Sequence, residues 1–488
     1  MKKLIIFAAC ALSLASCKKY LDVNQNPNEP TAVPAKVLLP NTSIGIGWAN
    51  ANELGRASSI LVQYNAGLAN SGLSYESYNL FGLFDNQWNF EIYAATVNNL
   101  QILIDKSAAN ETGYSPAYAG IAKIQLAYII SMATDLWGAV PYSQAGRGLE
   151  FPQPRYDSTQ DIYQGNSGQG IVSLFDLVKS GIADLKKTSA VKPGTDDLIY
   201  SGNLTNWIKA GNTLILKFAN TISNVNPALA TTNINEVLAS ADGYINDNTL
   251  DLQVPFTTAI GNQNPMYVQD ISGSFKNGEM LSSRLITLSK SLNDTVRLSR
   301  FYTKPNGVSF VGFENGAAGA APTLATRSMY NTYVVGTTGD APARLLTNFQ
   351  VKFILAEAVV KLGITGNANT YFQDGIRASM TKAGMTAAQI TTYFTTNPTV
   401  VTLSGTTENM IKQIITQKYL AWVGNGFEAY NDYRRTGYPQ LALALNVTGG
   451  DNPSQIPKRF AYTTSETNAN PNQPTPRPKT DEKIWWGL

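Results

Sequence analysis

Apolar residues recur at helical spacing along most of this chain, and strand-like alternation is scarce and short. From Tyr118 to Leu136, Ile121, Ile124, Leu126, Tyr128 and Ile129 form one such series, with Pro116 and Gly138 marking its flanks. The spacing predicts a helix there and another over Asn98 to Ser107, packed as an antiparallel pair. Further helices are predicted over Gly170 to Lys186, Leu204 to Ser223, Asn233 to Ala241, Leu346 to Lys361, Tyr371 to Ala383 and Thr407 to Val423. Between them, Asn24 to Asn41, Asn65 to Asn86, Gln253 to Asn277, Thr303 to Asp340 and Asp451 to Thr480 show no sustained period. Long aperiodic stretches inside a folded body are usually functional loops or disordered segments. The expected class is mainly α, with helical hairpins carrying long irregular loop insertions.

One apolar run is of a different kind. Met1-Lys2-Lys3 is a short basic segment, Leu4 to Leu14 is almost uninterruptedly apolar, and Leu14-Ala15-Ser16-Cys17 closes it on small residues and a cysteine. The run falls short of the roughly 20 residues that a bilayer span needs, so it reads as a cleaved secretory leader. Leu-Ala-Ser-Cys resembles a bacterial lipobox, which makes Cys17 the lipid-attachment residue and the first residue of the mature chain. The chain has 2 Cys, and Cys10 lies inside the leader, so a disulfide framework is excluded. Several acyl chains, at about 0.8 kcal/mol per buried methylene, give the stable attachment that one chain does not. The expected division is a signal peptide over 1–16, a lipid-anchored tether rich in Asn and Pro over 17–41, and one body over 42–488.

Composition removes whole classes of function. Lys+Arg number 37 against 34 Asp+Glu, with no basic stripe, which argues against nucleic acid as a partner. The chain has 0 His, so histidine-based nucleophilic catalysis and H-E-x-x-H zinc chemistry are ruled out. Gly45-Ile46-Gly47 lacks the third glycine of a dinucleotide fingerprint, and no Gly-Lys-Ser/Thr follows a glycine loop. No cofactor is expected and no metal-ligand motif is visible, although calcium on scattered oxygens leaves no sequence signature. A glycosidase stays chemically open, because it needs only two carboxylates about 5 to 9.5 Å apart across a sugar.

Charged residues make up only 15% of the chain while 24 Tyr and 7 Trp supply many amphipathic rings, a composition suited to neutral polar ligands. Aromatic density peaks between Tyr64 and Trp88, where rings alternate with Asn, Ser, Asp, Glu and Gln. Rings stack on apolar ligand faces while amides and carboxylates take hydroxyls. Tyr75, Tyr78 and Phe81 are the expected contacts. Trp88 is either a further contact or a staple for the helix it precedes, and Tyr267 and Tyr302 are candidates to complete a pocket.

Several segments carry a family resemblance in order along the chain. Asp135-Leu-Trp-Gly-Ala-Val-Pro-Tyr-Ser-Gln-Ala145 resembles the D-x-x-G-x-x-P-Y-x-x-A signature of the SusD/RagB family of outer-membrane nutrient-binding lipoproteins. Asn206 to Lys217 resembles its W-x-K-x-x-N-x-L helix, and Phe353-Ile-Leu-Ala-Glu-Ala358 its LAEA helix. Gly426 to Pro439 is similar to the late segment that ends R-R-T-G-x-P, and Ile456 to Tyr462, Asn470 and Trp485-Trp486 to the family ending.

The resemblance implies a fold of tetratricopeptide-like helical pairs without catalytic activity. It further implies a lipid-anchored place on the outer membrane, facing the exterior, as a lid on a SusC-like TonB-dependent transporter that imports an oligosaccharide or other polymer-derived nutrient. Asp135, Gly138, Pro141, Tyr142, Glu357, Glu428, Arg434 and Arg435, which sit in those motifs, read as architectural: helix-end and turn residues, and a buried ion-pair network. Two rival readings remain, a surface glycosidase with paired carboxylates and a structural scaffold that binds protein but no nutrient.

Overall fold

The computed structural model describes residues 33–488. The leader, Cys17 and the tether up to residue 32 lie outside the described residues. The rest of the tether does not behave as one. Helix α1, Ala35–Ala51, begins inside it, and Ala35, Leu38 and Leu39 are already core. Its buried positions include Ser43, Gly47 and Ala49, too small and polar to make a hydrophobic period, and it carries Pro40 inside. Tertiary packing holds it as a helix where local sequence does not.

Helix α2, Glu53–Leu61, follows directly, and a π-helix, Gln87–Val97, leads without a break into α3, Asn98–Ala108. Next come α4, Pro116–Trp137, α5, Leu174–Leu185, α6, Leu204–Ile222, and α7, Pro227–Ala239. Each of α4 to α7 packs on the one before it, giving tetratricopeptide-like helical pairs in a mainly α fold. The starts follow from local chemistry. Pro116 opens α4 and Pro227 opens α7 at positions where a missing N–H costs nothing, and Asn203 and Asn226 accept backbone N–H bonds as N-caps. Helix α7 starts six residues earlier than the apolar spacing predicts, because its first turns are capped but face solvent.

The second half repeats the pattern with α8, Asn348–Leu362, α9, Ala368–Lys382, α10, Thr407–Ala421, and α11, Gly426–Thr436. Helix α8 packs on α9 and α10, and α11 packs back on α2, so the chain's two ends share one core.

Strands are short, as expected. Strand β1, Asn65–Gly67, pairs antiparallel with β3, Glu279–Leu281, and β2, Leu252–Val254, with β4, Ala343–Leu346. These ribbons stitch the irregular segments to the helices. Of the stretches without a period, Asn65 to Asn86 is the one most changed by folding: it holds β1 and a helix at Asn70–Glu76, and most of its rings point into the core.

Candidate functional site

The positions picked from sequence divide sharply. Tyr75, Tyr78, Trp88 and Tyr302 are 2, 3, 1 and 1% exposed, so they present no ring face to a ligand from solvent. Tyr75 stacks on Phe84 and gives its hydroxyl hydrogen to Glu53. The Tyr78 hydroxyl accepts from the Ala444 amide at 3.1 Å, and Tyr302 stacks on Tyr330 and donates to Asn65 at 2.7 Å. A polar-looking loop buried them because their hydroxyls find partners in the protein. Phe81 keeps 37% exposure, with the Arg477 guanidinium over one face at 4.4 Å, and Tyr267 is half-buried beside Gly339. The six do not converge on one pocket.

The motif residues do converge. Asp135 is fully buried and its carboxylate accepts from Tyr163 Oη at 2.9 Å, Trp486 Nε1 at 2.8 Å and Asn431 Nδ2 at 2.9 Å, while its backbone carbonyl accepts from Arg434. Burial pushes its carboxyl up, against the pull of Lys217 and Arg434. Gly138 turns the chain at φ +86°, and a Cβ there would lie 2.8 Å from the Arg459 guanidinium. Glu357 and Arg435 form a bidentate buried pair, and Glu428 accepts from Lys217 at 2.9 Å and Gln350 at 2.7 Å. Tyr142 is half-buried against the core. All these are structural contacts.

Three distant segments come together instead at an open cleft of about 380 Å³. The π-helix brings Trp88, Asn89, Tyr93 and Ala94, with Asn98 just beyond it. The loop from Pro141 to Pro154 brings Gln144, Arg147 and Phe151, and the short helix Thr464–Ala469 brings Glu466, followed by Asn470. Trp88, 1% exposed, backs the cleft without offering a ring face: its indole N–H donates to Glu466 Oε2 at 3.3 Å, and Asn470 Nδ2 donates to Glu466 Oε1 at 2.9 Å. Behind it, Trp137 meets the Trp88 ring edge-on at 5.1 Å and Tyr93 leans on it at 5.0 Å. Tyr93 donates to the Pro141 carbonyl at 3.0 Å, and burial pushes its hydroxyl up, so it stays a donor. Gln144 Oε1 accepts from the Arg155 amide at 2.9 Å, and Asn89 Nδ2 donates to Ser465 at 2.8 Å.

The half-buried rings of Tyr93 and Phe151, with uncharged amides beside them, suit a ligand that has both apolar faces and hydroxyls. Two other clefts of similar volume, beside Leu288 and Pro439 and beside Tyr433 and Lys458, hold one aromatic ring at most. Among the described residues no group of three His, Cys, Asp or Glu side chains is placed to hold a metal ion, and no helix is long and apolar enough to cross a membrane. Of the ligand candidates offered by the sequence only Trp88 lines this cleft, and Asn89, Tyr93, Asn98, Gln144, Glu466 and Asn470 were not among them. Apart from the dense Trp-Asn-Phe-Glu-Ile-Tyr run, no local signal marks them, because the cleft is assembled from segments far apart in the chain, as the Trp88 to Glu466 bond at a separation of 378 illustrates.

Residues 27–463 match a family model described as starch-binding and associating with the outer membrane. No curated protein matches the chain. Solved structures do. A chitin-binding SusD homolog from Flavobacterium johnsoniae is 22% identical, with 93% of this chain and 98% of that one covered at a TM-score of 0.75. A SusD homolog from Bacteroides uniformis is 22% identical over 93% and 98% of the two chains at a TM-score of 0.74. A SusD/RagB family protein from Bacteroides thetaiotaomicron is 22% identical over 94% and 100% at 0.76. The helical pairs, the buried motif residues and a match over most of its length make this chain a member of the SusD-like family.

Proposed function

We propose that this protein is a non-catalytic, lipid-anchored outer-membrane protein that captures a glycan or other polymer-derived nutrient and delivers it to a SusC-like TonB-dependent transporter. The observation that carries the reading is the cleft, with its half-buried rings and uncharged amides. Glu466 is the one acidic side chain in its lining, and both its oxygens are occupied by Trp88 and Asn470. Glycoside hydrolysis needs two carboxylates flanking the scissile bond, so the cleft supports holding a glycan and not cleaving it. The chitin-binding SusD homolog from Flavobacterium johnsoniae shares the fold and supports the same ligand class. Outside the cleft, Phe81 and Tyr267 are secondary contacts for a ligand longer than the cleft.

Attachment through Cys17 holds the body at the membrane surface, where binding raises the ligand's effective concentration at the transporter mouth. Delivery then requires only different ligand affinity in the open and closed states of the pair. The test is a pull-down of the tagged protein from detergent-solubilised outer membranes, followed by titration of the purified complex with a glycan and peptide panel. A stoichiometric barrel partner and a saturable ligand are expected. A protein that comes down alone and binds nothing returns the scaffold reading to first place, and release of reducing ends from any polymer returns the glycosidase.

A further inference from the structure

The helix Gln87–Val97 holds π winding over 11 residues, where such winding is normally confined to a single turn inside an α-helix. At about 4.4 residues per turn, the nine steps from Asn89 to Asn98 make about two whole turns. Asn98 therefore returns to the side of Asn89, with Tyr93 between them, and all three line the cleft. At the α-helical value of about 3.6 residues per turn, the same nine steps make two and a half turns and set Asn98 on the opposite side.

The wide winding is built in by its neighbours. Thr96 Oγ1 donates at 2.7 Å to the Glu91 carbonyl five residues back. Glu91 is clamped by Asn52 Nδ2 at 2.6 Å and Gln87 Nε2 at 3.2 Å. Gly45 on α1 leaves the room this requires, since a Cβ there would lie 2.4 Å from Thr96 Oγ1. On the other side Gly146 brings the loop against Asn98, where a Cβ would come within 3.4 Å of the Asn98 Cα.

Most of the polar side chains lining the cleft are amides, with one carboxylate and one guanidinium beside them. Among the described residues the Asn98 amide is exposed and has no hydrogen-bond partner, while Gln144 Nε2 and Asn89 Oδ1 remain open beside their single bonds. An amide donates and accepts at once, which matches a hydroxyl. The only carboxylate in the wall, Glu466, repels a ligand carboxylate, and Arg147 stands at the lip, 3.9 Å from Asp105.

We propose that the π-helix is the ligand-reading element of the cleft: its winding aligns Asn89, Tyr93 and Asn98, and Asn98 is a specificity-determining residue for a neutral, hydroxyl-bearing saccharide. This rests on the capture reading above and adds to it the residue and the ligand class.

The test is calorimetric titration of the full-length protein and Asn98→Ala with neutral oligosaccharides (gluco-, manno-, fructo- and chito-oligomers) and acidic ones (oligogalacturonate, hyaluronan fragments), with thermal melts alongside. The expected result is preference for a neutral oligomer and a loss of about tenfold or more in N98A, the worth of one or two hydrogen bonds, with an unchanged melt. Gly45→Ala, which presses on Thr96, is expected to weaken the same ligand while Asn98 stays in place. Unchanged affinity in N98A, or preference for an acidic oligomer, overturns this inference and leaves glycan capture standing. No binding to any oligomer overturns the capture reading itself.

Discussion

Two buried charge networks hold this protein together, and they are built in opposite ways. In the helical core, Arg434, Arg435, Lys217 and Lys418 stand among Asp135, Glu357, Glu428 and Asp432, four cations to four carboxylates. Arg435 reaches both Glu357 and Asp432, the latter at 3.0 Å, and Lys418 reaches Asp432 at 2.9 Å. Beside the β1/β3 ribbon, Arg56 faces Glu53 at 2.8 Å, Asp270 at 3.2 Å and Glu279 at 3.7 Å, and Glu76, closing the helix Asn70–Glu76, accepts from the ribbon's Gly67 amide at 2.7 Å. Burial disfavours charge in both places, and the outcome depends on whether a partner offsets it.

In the balanced network it is offset at Glu357, while burial still pushes Asp135 and Glu428 up against their cations. Burial alone would raise Glu357, but Arg435 wins and pulls it down to about 2. In the carboxylate-rich network it is not. Burial and the neighbouring Asp270 charge push Glu279 up to about 8, and burial pushes Glu76 up to about 7. Asp270 rises to about 6, burial outweighing Arg56. A bidentate cation thus keeps Glu357 charged across ordinary pH, while the carboxyls beside the ribbon follow burial.

The largest effect is expected from breaking the balanced network. Arg435→Met leaves Glu357 buried without its cation and is expected to cost about 3 to 5 kcal/mol in urea denaturation. A loss below 1 kcal/mol would mean the frame does not depend on charge balance. Asp135→Asn, which turns an acceptor of three donors into a group with its own N–H pair, is expected to cost about 1 to 3 kcal/mol by the same measurement.

The pH dependence should separate the two networks by sign. A carboxyl raised in the folded state stabilises fully below its ordinary value near 4.5 and loses that contribution as pH rises through about 8 for Glu279. The melting temperature is therefore expected to fall across that window, and Glu279→Gln, which keeps the shape and removes one of the titrations, should make the fall shallower. Glu357 runs the other way, stabilising above 4.5 and losing its contribution as pH falls through about 2. A melting profile that E279Q leaves unchanged would locate the alkaline sensitivity elsewhere.

The smallest effect is reserved for a residue that sequence offered as a ligand contact. Tyr75→Phe removes a hydrogen bond to Glu53 and is expected to cost about 0.5 to 1.5 kcal/mol without changing glycan affinity. A large affinity loss at unchanged stability would show that the ring meets ligand after all.

Helices α4, α6, α8 and α10 were legible because each carries a full apolar stripe with caps at its ends, and their boundaries agree with the spacing within a few residues. Helix α1 and the π-helix were not. Both depend on close contact with each other, Gly45 against Thr96, which no local pattern encodes. The aromatic cluster from Tyr64 to Trp88 misled for a related reason: a tyrosine with a hydroxyl partner is as content in a core as on a surface, and sequence does not reveal the partner.

By itself, the sequence determined the helical class, the family and the exclusion of histidine chemistry, because each follows from residue types and their spacing along the chain. Only the tertiary structure decided which rings are core, which carboxylates keep a proton and where a ligand fits. Those depend on distances between segments hundreds of residues apart, and burial and pairing act through space.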